Sequence, residues 1–115
     1  DTLSLHDALP ILGNLKVKIY DYKSAKKNFK KALIIRRKLA VENMETYISY
    51  LAETLNGLGN LQSKMVEYKS AKENFEEALS YYRTLAVKCP EKYIPYVKLT
   101  LDNLADLQIC IKSDL

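Results

Sequence analysis

The sequence predicts an all-α protein, an α-α superhelix in which antiparallel helical hairpins stack into a right-handed solenoid. Three observations predict this fold: an internal repeat, apolar residues spaced three and four apart, and a scarcity of residues that break helices. Only three Gly and three Pro occur among 115 residues, which leaves few positions that favour turns. Lys, Glu, Leu and Ala are plentiful, and these residues favour helix.

The repeat has a period of 46 residues and aligns without a gap. Residues 12–57 align with residues 58–103, and a partial third copy covers residues 104–115. The segment YKSAKKNFKKAL from Tyr22 recurs as YKSAKENFEEAL from Tyr68, and 24 of the 46 aligned positions are identical. One copy cannot bury its own apolar faces, so the copies are expected to stack.

Each copy is expected to form two helices. Ile48, Leu51, Leu55 and Leu58 recur at the spacing of one helical face, and Pro90 suits the first turn of a helix. We predict helices near residues 4–20, 23–42, 45–65, 69–88 and 91–112. The predicted core comprises Leu15, Phe29, Ala32, Leu33, Leu55, Leu58, Leu61, Phe75, Ala78, Leu79, Leu101 and Leu104.

The N-terminal segment is expected to be foreign to this repeat. Residues 2–11 read TLSLHDALPI, which resembles the translation of a common sequencing-library adapter in one reading frame. By this resemblance, residues 1–11 are a non-native segment and residues 12–115 are the repeat domain. His6, the only histidine, then has no functional role. Pro10 is expected to kink or fray any helix that forms there, because it lacks a backbone N–H.

Small and large residues recur at matching places in the two complete copies. They are Leu12, Gly13, Tyr22, Ala25, Phe29 and Ala32 in the first copy, and Leu58, Gly59, Tyr68, Ala71, Phe75 and Ala78 in the second. This pattern resembles the tetratricopeptide repeat, whose usual period is 34. A period of 46 implies longer helices, as in the microbial variants that the segment LAVKCPEKYIP resembles. The resemblance implies a non-catalytic scaffold that binds a protein or peptide.

In that family the first helix of each pair lines a concave groove. Counting along the pattern places Asn14, Lys18, Glu53, Asn56, Asn60, Lys64, Asp102 and Asp106 on it. An Asn side chain both donates and accepts hydrogen bonds, so Asn14, Asn56 and Asn60 could hold an extended peptide. The alternative is that these residues are solvated, or that Asn60 packs at a helix crossing. Asp102 and Asp106 would repel an acidic chaperone tail, which argues against that partner.

Basic residues concentrate in the first copy, which carries a net +6 against +1 in the second. They include a predicted basic stripe of Lys23, Lys26, Lys27, Lys30, Arg37 and Lys38. Electrostatic binding of nucleic acid is one interpretation of this stripe. No aromatic–basic interleaving accompanies it, so a solvated helix face is the preferred interpretation.

The sequence predicts no enzyme, cofactor or metal site. No Ser or Cys has a base partner at a motif spacing, and Cys89 and Cys110 lack the spacing of a metal site or disulfide framework. Two isolated cysteines are typical of reduced thiols in a cytoplasmic protein. No apolar run approaches the roughly 18 residues of a membrane span, so no membrane partner is expected.

A second functional hypothesis is that the chain is a sensor or oligomerisation arm of a larger signalling protein. The repeat pattern is open at both ends, and the sequence does not start with Met. These features predict a piece of a longer protein, and they make self-association through the open repeat ends a further expectation.

Overall fold

The computed structural model describes the backbone of residues 11–114 and the side chains of residues 21–114. Four helices occupy this part of the chain: α1 (Ile11–Glu42), α2 (Met44–Lys64), α3 (Tyr68–Lys88) and α4 (Pro90–Ser113). No strand occurs between residues 11 and 114, which confirms the all-α class. The bounds of α2, α3 and α4 match the predicted helices to within a residue or so, whereas the handedness of the array stays a prediction.

The contacts between α2 and α3 show that these consecutive helices run antiparallel. Asn74 donates a 2.6 Å hydrogen bond to the side chain of Gln62, and the ring of Phe75 lies against Gly59. Farther along α3, Tyr82 lies in one buried cluster with Leu51 and Leu55 of α2. Residue numbers therefore fall along α2 as they rise along α3. The helices α1 and α2 are related in the same way, because Arg36 bonds to the carbonyl of Tyr50 whereas the earlier Phe29 lies against the later Gly57.

Helix α2 is the central element, since it contacts α1, α3 and α4. Its contact with α4 joins residues 44 positions apart: the side-chain amide of Asn56 donates a 2.9 Å hydrogen bond to the hydroxyl of Thr100. The helices α2 and α4 occupy equivalent places in successive copies of the repeat. Two helices that are one 46-residue period apart in the sequence are therefore neighbours in the structure.

The core lies between consecutive helices, from α1 to α4. One buried cluster contains Ala40, Leu51, Ala52, Leu55, Ala78 and Tyr82, and a second contains Ala71, Phe75 and Leu107. Six predicted core residues are confirmed as buried: Leu55, Leu58, Leu61, Phe75, Ala78 and Leu79. Phe29, Ala32, Leu33 and Leu104 are half-buried.

The prediction for Leu101 is wrong, because its side chain is 41% exposed. It lies on a face of α4 that no other described helix covers. The side chain of Leu15 lies outside the described residues.

The predicted break before residue 23 is also wrong, because α1 is one helix of 32 residues. In the second copy the chain does leave the helix at Val66, which has a left-handed φ of 63°. The equivalent Tyr20, like Val66, is not a helix breaker, so the local sequence does not force a turn at either place. Packing of α2 on α3 offsets the cost of the turn in the second copy, and without such packing the helix simply continues. The predicted non-native segment and the kink at Pro10 lie outside the described residues, except for Ile11.

Candidate functional site

Helix α2 presents a single polar stripe to solvent. Tyr50, Glu53, Gly57, Asn60 and Lys64 follow one another at spacings of three and four, and all are exposed except the half-buried Gly57. This spacing places them on one side of the helix. The opposite sides of α2 are packed against its three neighbours, so this stripe is the part of α2 open to a partner.

The structure places most of the predicted groove residues on the surface. Glu53, Asn60 and Lys64 are exposed on α2, and Asp102 and Asp106 are exposed on α4. The side chains of Asn14 and Lys18 lie outside the described residues.

Asn56 does not lie on the groove, contrary to the prediction. Its side chain is buried, and its Nδ2 donates to Thr100, which in turn donates to the carbonyl of Tyr96. A peptide cannot reach an amide held between two helices. Asn56 therefore spaces α2 from α4, and of the predicted asparagine ladder Asn60 is the member found on the surface.

A tyrosine-lined concavity of about 190 Å³ opens beside the N-terminal half of the α2 stripe. Its floor is the buried Tyr82 of α3, whose ring stacks on that of Tyr96 with 5.2 Å between centroids and 15° between planes. Tyr50 and Tyr96 are each nearly half exposed at its rim. The lining residues are Ser49, Tyr50, Glu53, Tyr82, Lys92, Tyr93 and Tyr96.

The sequence did not predict this concavity, because its lining residues come from three different helices. The decisive residue is Tyr82, which occupies the place of Arg36 in the first copy. In that copy the Arg36 guanidinium lies 5.5 Å from the centre of the Tyr50 ring. A departure from the repeat at one position was the only available signal, and it identifies the site only once α4 is known to lie beside α2.

The charges around the concavity are balanced. Burial, together with the smaller effect of the nearby Glu53 carboxylate, raises the pKa of Tyr82 to about 12, so Tyr82 stays a neutral phenol. The ammonium of Lys92 lies 5.3 Å from the centre of the Tyr93 ring. One carboxylate and one ammonium flank the aromatic surface. This balance favours a partner that fits the concavity by shape and apolar contact over a partner of one charge.

The predicted basic stripe of α1 is partly neutralised by the second copy. Lys26 pairs with Glu67 at 2.7 Å, and Arg37 donates two hydrogen bonds to Glu77, of 2.7 and 2.9 Å. These pairs join α1 to α3 and its preceding turn. The remaining stripe residues, Lys23, Lys27, Lys30 and Lys38, are exposed.

A cleft of about 440 Å³ lies along α1 beside the turn that precedes α3. Apolar contacts come from Ile34 and Met65, and the one carboxylate is that of Glu67, already paired with Lys26. The remaining lining residues are Lys23, Lys27, Lys30 and Lys31. The lining of this cleft therefore includes five lysines and one glutamate.

Residues 21–114 contain no group of three or more His, Cys, Asp or Glu side chains arranged to hold a metal ion. Both Cys89 and Cys110 are free thiols. Within the described range, every helix is too short or too polar to cross a membrane.

Comparison with protein-family models, with curated proteins and with solved structures finds no match to this chain. The α2 stripe and the concavity that it borders are the features of the described chain that indicate a function.

Proposed function

We propose that this chain is a non-catalytic scaffold of the tetratricopeptide type, which binds an extended segment of a partner protein across α2 and α4. The single observation that carries the proposal is the polar stripe of α2 beside the tyrosine-lined concavity. An exposed aromatic concavity with a polar rim is typical of a binding surface.

The length of the stripe suits a short extended peptide. From Tyr50 to Lys64 the helix rises about 21 Å, at about 1.5 Å per residue. A fully extended peptide of about six residues spans the same distance. Asn60 can both donate to and accept from its backbone, while an apolar or aromatic side chain can lie on the rings of Tyr50 and Tyr96.

Selection from a random peptide library on the immobilised full chain tests this proposal. Enriched peptides are expected to bind the double variant Tyr50→Ala, Tyr96→Ala at least about tenfold more weakly, because aromatic anchors carry much of the energy of such contacts. The variant Val87→Ala is the control, since Val87 is 84% exposed at the end of α3 and should not change binding. No enrichment, or equal affinity for the double variant, would remove this surface from the account.

A second candidate function is binding of a polyanion such as nucleic acid in the lysine-lined cleft of α1. Four exposed lysines without a described ion-pair partner favour it. Fluorescence anisotropy with a random-sequence duplex at low salt is the test. Binding through lysine–phosphate contacts must weaken steeply as salt rises, and Lys27→Glu with Lys30→Glu should abolish it. No binding at low salt would end this candidate.

A further inference from the structure

The two outer helices of the tyrosine-lined concavity, α2 and α4, run parallel to each other. Helix α3 is antiparallel to α2, and it is antiparallel to α4 as well. Tyr82 of α3 stacks on Tyr96, whereas the earlier Phe75 forms a buried cluster with the later Leu107. Residue numbers therefore rise in the same direction along α2 and α4.

One charged residue lies at each end of the concavity. Tyr50 of α2 and Tyr96 of α4 occupy equivalent places in the repeat and both line the concavity, so they lie at a similar height. Glu53 follows Tyr50 by three residues, and Lys92 precedes Tyr96 by four. At about 1.5 Å per residue, the two charges are about 10 Å apart along the helix axes, with the aromatic rings between them.

Both charges are available to a partner. Glu53 and Lys92 are exposed, and neither forms an ion pair with another residue in the part of the chain that the structure describes. The Lys92 ammonium lies 5.3 Å from the centre of the Tyr93 ring, which holds it at its end of the concavity. Burial, and then the Glu53 carboxylate, raises the pKa of Tyr82, so that carboxylate lies near the floor. The concavity therefore has a positive end and a negative end.

We infer, on the premise that the chain binds an extended segment as proposed above, that this segment carries three side chains in a fixed order. From the N-terminal end of α2 they are an acidic side chain, an apolar or aromatic anchor and a basic side chain. The anchor lies on the rings of Tyr50 and Tyr96, while the acidic side chain meets Lys92 and the basic one meets Glu53. A segment with this order is complementary to the site, whereas a segment of one sign is repelled at one end.

The separation of the two charges sets the spacing in the partner. An extended chain advances about 3.3–3.6 Å per residue, so about 10 Å corresponds to about three residues. The acidic and basic residues of the segment are therefore about three positions apart, with the anchor between them. The two possible chain directions give two different sequences, and a single binding mode uses one of them.

Selection from a random peptide library on the immobilised full chain is the first measurement. Enriched peptides are expected to carry an acidic and a basic residue on opposite sides of an apolar or aromatic residue, always in one order. Fluorescence anisotropy then gives the affinity of one enriched peptide. Glu53→Lys should weaken its binding at least about threefold, because the substitution replaces an exposed attraction with a repulsion.

A charge-reversed peptide is the decisive ligand. The enriched peptide with its basic residue replaced by glutamate should bind the parent chain at least about threefold more weakly. The same peptide should bind the Glu53→Lys variant about as well as the original peptide binds the parent chain, because the pair is formed again with opposite signs. Lys92→Glu should respond in the same way to a peptide whose acidic residue is replaced by lysine.

Glu73→Lys and Lys98→Glu are the matched controls. They change the net charge by the same amounts as Glu53→Lys and Lys92→Glu. Both Glu73 and Lys98 are exposed and lie outside the concavity, so the affinity for the original peptide should not change. Circular dichroism confirms that each variant folds.

Enriched peptides without this charge order, or reversed variants that the charge-reversed peptides do not rescue, would overturn the charge pattern. Peptide binding itself is tested separately by Tyr50→Ala with Tyr96→Ala. Peptides that are lost in this double variant but are insensitive to both charge reversals would contradict the charge pattern alone. No enrichment on the parent chain would contradict both.

Discussion

At the scale of single residues, two glycines of α2 have different environments although both sit mid-helix against a phenylalanine ring. A Cβ on Gly59 would lie 2.7 Å from the ring of Phe75, and a Cβ on Gly57 would lie 2.6 Å from the ring of Phe29. Phe75 is fully buried, whereas Phe29 is half-buried and can move.

We therefore expect Gly59→Ala to destabilise the fold and Gly57→Ala to leave its stability unchanged or improve it. Alanine gains about 1 kcal/mol of helix propensity over glycine at both positions. At Gly59 the overpacking cost of about 1–3 kcal/mol exceeds that gain. Thermal unfolding followed by circular dichroism measures both variants, and the opposite order would show that Phe75 is not held against Gly59.

The two phenylalanines offer a second comparison at this scale. Phe75→Ala should cost about 3–5 kcal/mol, the usual range for truncation of a buried aromatic. Phe29→Ala should cost clearly less, because part of that ring is already in solvent. Urea unfolding gives both free energies, and a loss below about 1 kcal/mol for Phe75→Ala would contradict its place in the core.

At the scale of elements, the turn between α2 and α3 carries a strained residue. Val66 has a φ of 63° and an exposed side chain, and a β-branched residue is costly in this left-handed region. Val66→Gly should stabilise the chain by up to about 1 kcal/mol, since the relieved strain of about 1–2 kcal/mol exceeds the extra entropy that glycine loses on folding.

Val87→Gly is the matched control for this prediction. Val87 is also exposed but lies in the right-handed helix α3, where glycine is unfavourable. Urea unfolding should show the same substitution acting with opposite sign at the two sites. A loss of stability in both would mean that Val66 is not strained.

The pair that joins α1 to α3 makes stability depend on pH. The hydrogen bonds that Arg37 donates to Glu77 hold the pKa of the Glu77 carboxyl below its usual value. The carboxylate therefore contributes stability above the pKa of an unfolded glutamate, and this contribution is lost as the pH falls through the lowered folded value.

Glu77→Gln should accordingly be less stable than the parent chain near pH 7, by under about 1 kcal/mol because the pair is partly exposed. The difference should shrink on acidification to about pH 3. Glu76→Gln is the control, since Glu76 lies 3.9 Å from Lys72 and is 55% exposed. Urea unfolding at several pH values decides the matter, and a difference that does not vary with pH would contradict the account.

At the scale of the whole molecule, the part best predicted from the sequence is the second copy of the repeat. The spacing of Leu55, Leu58 and Leu61 identified a buried face because α2 has neighbours on most sides. The same reasoning wrongly predicted that Leu101 is buried. The repeat places a leucine at this position, but no described helix packs over it. Periodicity identifies a face that can be buried, and only the packing decides whether it is.

The candidate site was predicted less completely for a related reason. Glu53 and Asn60 were placed on the surface by counting, since exposure on α2 follows the helical period. Asn56 is an asparagine like Asn60 and lies about one turn before it on α2. Its hydrogen-bond partner Thr100, however, lies 44 residues away in the sequence. The pairing depends on how α4 lies beside α2, which no local pattern shows. The concavity over Tyr82 was missed because it too requires that neighbour.

The chain departs from its own repeat at α1, which is one continuous helix where the second copy has a turn. If the first copy formed the same hairpin as the second, Phe29 would lie against Gly13, as Phe75 lies against Gly59. In the structure Phe29 lies against Gly57 of α2, and Gly13 is about 24 Å away along the continuous helix.

Nuclear Overhauser spectroscopy of the labelled full chain at low concentration tests this claim most directly. We expect cross-peaks from the ring of Phe29 to the α-protons of Gly57, and from the ring of Phe75 to those of Gly59. Cross-peaks from Phe29 to Gly13 would contradict the account, because the first copy would then form its own hairpin.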